Sequence, residues 1–84
     1  MTTKKLYDDI MKQLSNPEFV NRVEEIDVWC EKEKKLGVKF HLQRASNMLQ
    51  ELQDCADYKR AIYESSFDSS VKEIYKLLER HEHN

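Results

Sequence analysis

Apolar positions in this chain recur at three- and four-residue intervals along most of its length, the period of amphipathic helices rather than strands. In the first stretch Leu6, Ile10 and Leu14 recur every fourth residue, with Tyr7 and Met11 beside them. In the second, Phe19, Val23, Ile26 and Cys30 form one narrow stripe, Trp29 and Leu36 flank it, and Val28 sits on the opposite face. In the third, Val38, Leu42, Ala45, Leu49, Leu52, Ala56 and Tyr63 share a face, and Met48, Cys55 and Ile62 make a second stripe beside it. In the last, Val71, Ile74, Tyr75 and Leu78 line up, with Leu77 adjacent. Val38-Lys39-Phe40-His41-Leu42 alternates like a strand but has no second strand to pair with, so it reads as a helix start.

Few residues break these stretches. Ser15-Asn16-Pro17 reads as a helix start, with Asn16 able to cap, Pro17 at the first helical position and Glu18 complementing the dipole. Lys34, Lys35 and Leu36 ahead of Gly37 read as a last turn closed by a C-terminal glycine. The serines between Ser65 and Ser70 interrupt the pattern, and Ser70-Val71-Lys72-Glu73 fits a capping box. The pattern therefore predicts an all-α fold, a compact bundle of about four helices over roughly 3–14, 17–36, 38–65 and 70–82. Asp54 and Asp57 could instead cap a new helix after a kink. The apolar face stays in phase across them, which favours one long central helix of roughly 40 Å.

Composition narrows the function classes. The 84 residues make one domain, 1–84. Hydrophobic residues are 39% and charged residues 36%, with a net charge of -2, so charge is abundant but balanced. No apolar run approaches the roughly 18 residues that span a bilayer, so direct membrane insertion is not expected. Absence of an apolar stretch behind Met1-Thr2-Thr3-Lys4-Lys5 leaves no secretory signal. With only Cys30 and Cys55, that points to a reducing, cytoplasmic setting in which both thiols act as small apolar residues.

Chemistry finds little support in the motifs. Cys30, Cys55, His41, His81 and His83 have no metal-ligand spacing, and His81 and His83 do not share a helix face. Asp8-Asp9 and Glu24-Glu25 are neighbours that point apart, and there is no glycine-rich phosphate loop. The expectation is a non-enzymatic protein with no cofactor and no metal. Lys32, Lys34, Lys35, Lys39 and Arg44 cluster around Gly37 and could touch phosphate or an acidic partner. Leu36-Gly37-Val38 also looks like the turn of a helix-turn-helix, with Lys39, Gln43, Arg44 and Asn47 able to read bases. Glu33 stands where that turn needs a small residue, and the acidic balance argues against nucleic acid as the partner. A nucleic-acid-binding regulator remains the alternative.

The small size, high charge, helical texture and Met-Thr-Thr-Lys-Lys start resemble the small regulatory proteins of large tailed phages. That group includes the cytoplasmic lysis-inhibition accessory proteins, or antiholins, of T-even phages. The likeness is one of texture over the whole chain, so no binding residue is carried over. It implies binding to the cytoplasmic part of a holin and no catalysis.

Val28, Phe40 and Tyr58 lie off the main stripes and are expected to be exposed, marking with Trp29 a protein-binding surface. Lys35, Lys39 and Arg44 would steer an acidic partner onto it. So few apolar residues also favour pairing of two copies, hence an expected homodimer.

Overall fold

The structure, a computed structural model, describes residues 2–82. His83 and Asn84 lie outside that range, as do the contacts of the His81 side chain. Four helices follow in order: α1 (Thr3–Gln13), α2 (Pro17–Lys32), α3 (Val38–Gln53) and α4 (Asp57–Glu82). The fold is all-α, within extents of 41 × 27 × 19 Å. No described helix is long and apolar enough to cross a membrane.

The start of α2 follows the sequence reading. Asn16 Oδ1 accepts from the Glu18 amide at 3.0 Å, and Pro17 occupies the first turn. The end of α2 does not. The helix stops at Lys32, and Lys34 adopts the left-handed conformation at φ 57°. The Lys35 amide donates to the Cys30 carbonyl at 2.8 Å and the Lys34 amide to that of Glu31 at 3.2 Å. This is the paired bonding of a Schellman cap, with lysine where glycine is usual. Gly37 has another task. Its φ of −90° is ordinary for any residue, but a Cβ there would sit 2.5 Å from Asp27 Oδ1. That oxygen accepts from the Val38 amide at 2.6 Å, and Oδ2 from the Lys39 amide at 3.3 Å. Asp27 thus caps α3 from a neighbouring helix, and Gly37 leaves room for its carboxylate.

The expected helix over 38–65 and break at the serines are both overturned. The chain leaves the helix at Asp54 (φ −141°, ψ 36°) and restarts at Asp57. The Lys59 amide bonds the Ala56 carbonyl at 2.9 Å, and Asp57 lies in the first turn, where a negative charge complements the dipole. α4 then runs unbroken through the serines for 26 residues, so the long helix is the fourth. Phe67, Ser70, Val71, Ile74, Leu77 and Leu78 form one buried stripe in helical phase. Serine costs only about half a kcal/mol of helix propensity, less than burial of Phe67 and Val71 returns at about 1.5–3 kcal/mol each. Ser70 forms no capping box. Its hydroxyl donates to the Ser66 carbonyl at 2.9 Å and so is satisfied within the helix.

α3 and α4 pack as a helical hairpin, and α1 and α2 cover one end of it. The core is Tyr7 and Ile10; Phe19, Val23, Ile26 and Cys30; Val38 and Ala45; and the α4 stripe. Tyr7 meets Phe67 edge-on at 5.5 Å. Two long-range bonds fasten the cover: Tyr75 Oη donates to the Leu6 carbonyl at 3.2 Å, and Arg22 Nη2 to that of Leu78 at 2.7 Å. Between Ala45 and Phe67 no side chain is fully buried. Met48 and Leu49 still pack against the core, and the rest of the 46–66 hairpin is a lightly packed arm that extends from it.

Two outcomes follow from the α2–α3 corner. Asp27→Ala and Gly37→Ala each lower unfolding free energy in urea by about 1–2 kcal/mol. In the Asp27→Ala background Gly37→Ala costs almost nothing, and additive losses would show that the two act separately. Lys34→Gly relieves the left-handed backbone and raises stability by about 0.5–1 kcal/mol, read from the same denaturation midpoint.

Candidate functional site

The residues expected to form one surface are distributed over several. Val28, Phe40 and Tyr58 are all exposed, Tyr58 the most at 76%. Val28 lies on the outer face of α2 beside Asn21, Glu24 and Glu25, in acidic surroundings. Lys39 Nζ stands 3.9 Å from Glu24 Oε1, a surface pair worth little by itself. Phe40 and Arg44 lie one turn apart on α3, and Phe40 contacts His41 edge-on at 5.5 Å.

Arg44 reaches across the hairpin, with Nη2 3.4 Å from Ser66 Oγ. It borders a shallow cleft of about 420 Å³ with Ala61, Ile62 and three serines of α4. Ile62 is 65% exposed, one turn from Tyr58 along the arm. Met48, Leu49, Leu52 and Tyr63 are only half-buried. The arm thus carries an apolar edge, from Ile62 to Tyr58, that no described element covers. The serines keep this side of α4 low, which leaves Ile62 standing clear.

Trp29 and Lys35 do come together. The left-handed turn at Lys34 folds the chain back so that Lys35 Nζ lies 5.1 Å from the indole centroid. Arg80, from the last turns of α4, lies 5.6 Å from the same ring. Arg80 is a partner of this ring that the sequence pattern does not reveal. It is about fifty positions from Trp29, and no local pattern links them. Next to this group is a cleft of about 430 Å³ bordered by Lys35, Leu36, His41, Glu73, Lys76, Leu77 and Arg80.

His41 is 9% exposed, and its buried Nδ1 has no hydrogen-bond partner. Burial holds its pKa below the usual imidazole value, Glu73 and Asp27 pull it up, and Arg44 pushes it further down. The Cys30 thiol is raised by burial and by the Asp27 carboxylate, against a smaller opposing effect of Lys35, which makes its thiolate scarce. Cys30 and Cys55 are both free. Among the described residues no three His, Cys, Asp or Glu side chains come together in a way that could hold a metal ion.

No family model, curated protein or solved structure matches the chain. The functional reading therefore stands on geometry.

The His41 environment sets a pH dependence. Because its folded pKa is lowered, the unfolded chain takes up the proton first as pH falls. Its contribution to stability is complete above about pH 6.5 and declines as pH drops from there toward the folded pKa. His41→Phe keeps an aromatic ring and removes the titration. Urea midpoints for wild type should fall more between pH 7.5 and 5.5 than those of His41→Phe; equal slopes would show that the ring does not titrate differentially.

Proposed function

We propose that this protein is a non-enzymatic binding module that lays the exposed edge of its arm against another protein. When that protein is absent, a second copy covers the same edge and gives a homodimer. The observation that carries the reading is the absence of any fully buried side chain between Ala45 and Phe67, together with large apolar groups held out at Tyr58 and Ile62. Ordered helices with an uncovered apolar edge fit the mode in which one helix face docks on another. Lys59 Nζ, 5.8 Å from the Tyr58 ring, and Arg44 place cations beside that edge, which suits a partner with acidic groups at the rim. The resemblance to lysis-inhibition accessory proteins would make that partner the cytoplasmic part of a membrane protein, and the setting cytoplasmic.

Three observations weigh against the nucleic-acid alternative. The start of α3, which would face phosphate, already holds the Asp27 carboxylate. Lys39 stands near Glu24, and Gln43 donates to Asn47 at 3.0 Å, so these three candidate base readers, like Arg44 on Ser66, have partners within the chain.

Tyr58→Ser with Ile62→Ser tests the proposal. Both residues are exposed, so the thermal midpoint should stay close to that of wild type. Sedimentation should show the dimer replaced by monomer. Capture of the protein partner from nuclease-treated native lysate should weaken about tenfold or more. An unchanged mass and unchanged capture by the folded variant would sink the arm as the docking element. Capture that disappears with nuclease treatment would instead favour nucleic acid.

A further inference from the structure

A second site, independent of the arm, lies where the α2–α3 turn meets the last turns of α4. We propose that the cleft between Lys35 and Arg80 binds a phosphate monoester carried on a small apolar body. Among the described residues three cations border it, Lys35, Lys76 and Arg80, against the carboxylate of Glu73. The local charge is thus strongly positive in a chain whose net charge is -2. Lys76 already sits 3.3 Å from Glu73 Oε1. Among the described residues, neither Lys35 nor Arg80 has a carboxylate within ion-pair distance.

Trp29 holds these two cations instead. Both stand over its ring, at 5.1 and 5.6 Å. A cation–π contact fixes a positive group without neutralising it. Two like charges gathered on one indole repel each other, and an anion placed between them reverses that cost. A monoester phosphate carries about −1.5 to −2 charges near neutral pH, which matches the excess charge of the cleft. Arginine presents a planar donor fork suited to phosphate oxygens, with lysine as a point charge beside it.

The remaining wall specifies the other half of the ligand. Leu36 is 54% exposed on this cleft, and Leu77 borders it too. More than half of the Leu36 surface is open to solvent, and an apolar body attached to the phosphate would cover it. At about 430 Å³ the cleft is within the usual range for small-ligand sites. His41 also borders the cleft with a nine-tenths-buried ring, and its unpartnered Nδ1 is itself enclosed within the fold. The phosphate can come free, on a small ester, or on a phosphorylated side chain of another protein. The chemistry recognised is the same.

Trp29 is the one tryptophan in the sequence, so its fluorescence reports on this cleft directly. Phenyl phosphate, titrated at constant ionic strength, should change the emission saturably. Inorganic phosphate, lacking the apolar body, and benzoate, lacking the second charge, should each bind about tenfold weaker or worse, a difference of roughly 1.4 kcal/mol. Calorimetry, which does not depend on the indole signal, should show Arg80→Gln weakening phenyl phosphate at least tenfold and Lys59→Gln, on the arm, leaving it unchanged. A short phosphotyrosine peptide that binds more tightly than phenyl phosphate would indicate a protein-borne ligand, and equal affinity a free ester. A non-saturating response, benzoate binding as well as phenyl phosphate, or full affinity in folded Arg80→Gln would overturn the proposal. Since the arm variant with Tyr58→Ser and Ile62→Ser should retain phenyl phosphate binding, failure at either site is distinguishable from failure at the other.

Discussion

The bond from the Val38 amide to Asp27 is the contact on which the arrangement of this protein turns. At 2.6 Å it ties the first amide of α3 to the middle of α2. Helix starts leave amides without intrahelical partners, and α3 has no capping side chain of its own. Borrowing a carboxylate from α2 satisfies the amide and fixes the angle at which the chain re-enters a helix. Val38, beside the bond, is completely buried, so the polar contact and the apolar one hold the same point. What lies downstream inherits this placement: His41 against the α4 cleft, Ala45 in the core, and then the arm. What lies upstream, the turn through Lys34, sets Lys35 on Trp29.

This corner also explains how so polar a chain folds. Its fully buried apolar side chains all lie at one end of the hairpin, supplied by every helix in turn. The other end contributes half-buried groups and leaves Tyr58 and Ile62 to solvent. A uniform bundle would have spread 39% hydrophobic residues thinly. Concentrating them gives one dense core and one lightly packed extension, in which local opening needs to disrupt little of the buried surface.

Periodicity was enough to read α1, the start of α2 and the all-helical class, because their apolar stripes and the Asn16-Pro17 cap are local signals. It failed in the second half for a physical reason. The face running through Leu49, Leu52, Ala56 and Tyr63 keeps helical phase across Asp54, so phase alone cannot reveal that the chain turns back there. Ser66 and Ser70 look like punctuation in one dimension, whereas in the fold their neighbours Phe67 and Val71 are core and carry the helix through. The site was legible to the same extent. The exposure of Val28, Phe40 and Tyr58 follows from their positions off the stripes, and Lys35 on Trp29 joins residues six apart. Arg80 reaches that ring through the tertiary fold alone, and Gly37 reads as a stop only until Asp27 is seen beside it.

The continuity of α4 links the two ends of the molecule in one further way. Tyr58 and Arg80 belong to the same uninterrupted helix, about 22 residues apart. At about 1.5 Å per residue that separation is roughly 33 Å, and it is close to six whole turns. The two side chains therefore leave the helix on nearly the same side, as marks on a ruler. Any single body that touches both must be at least that long, and the rigid rod between them sets the spacing it has to match.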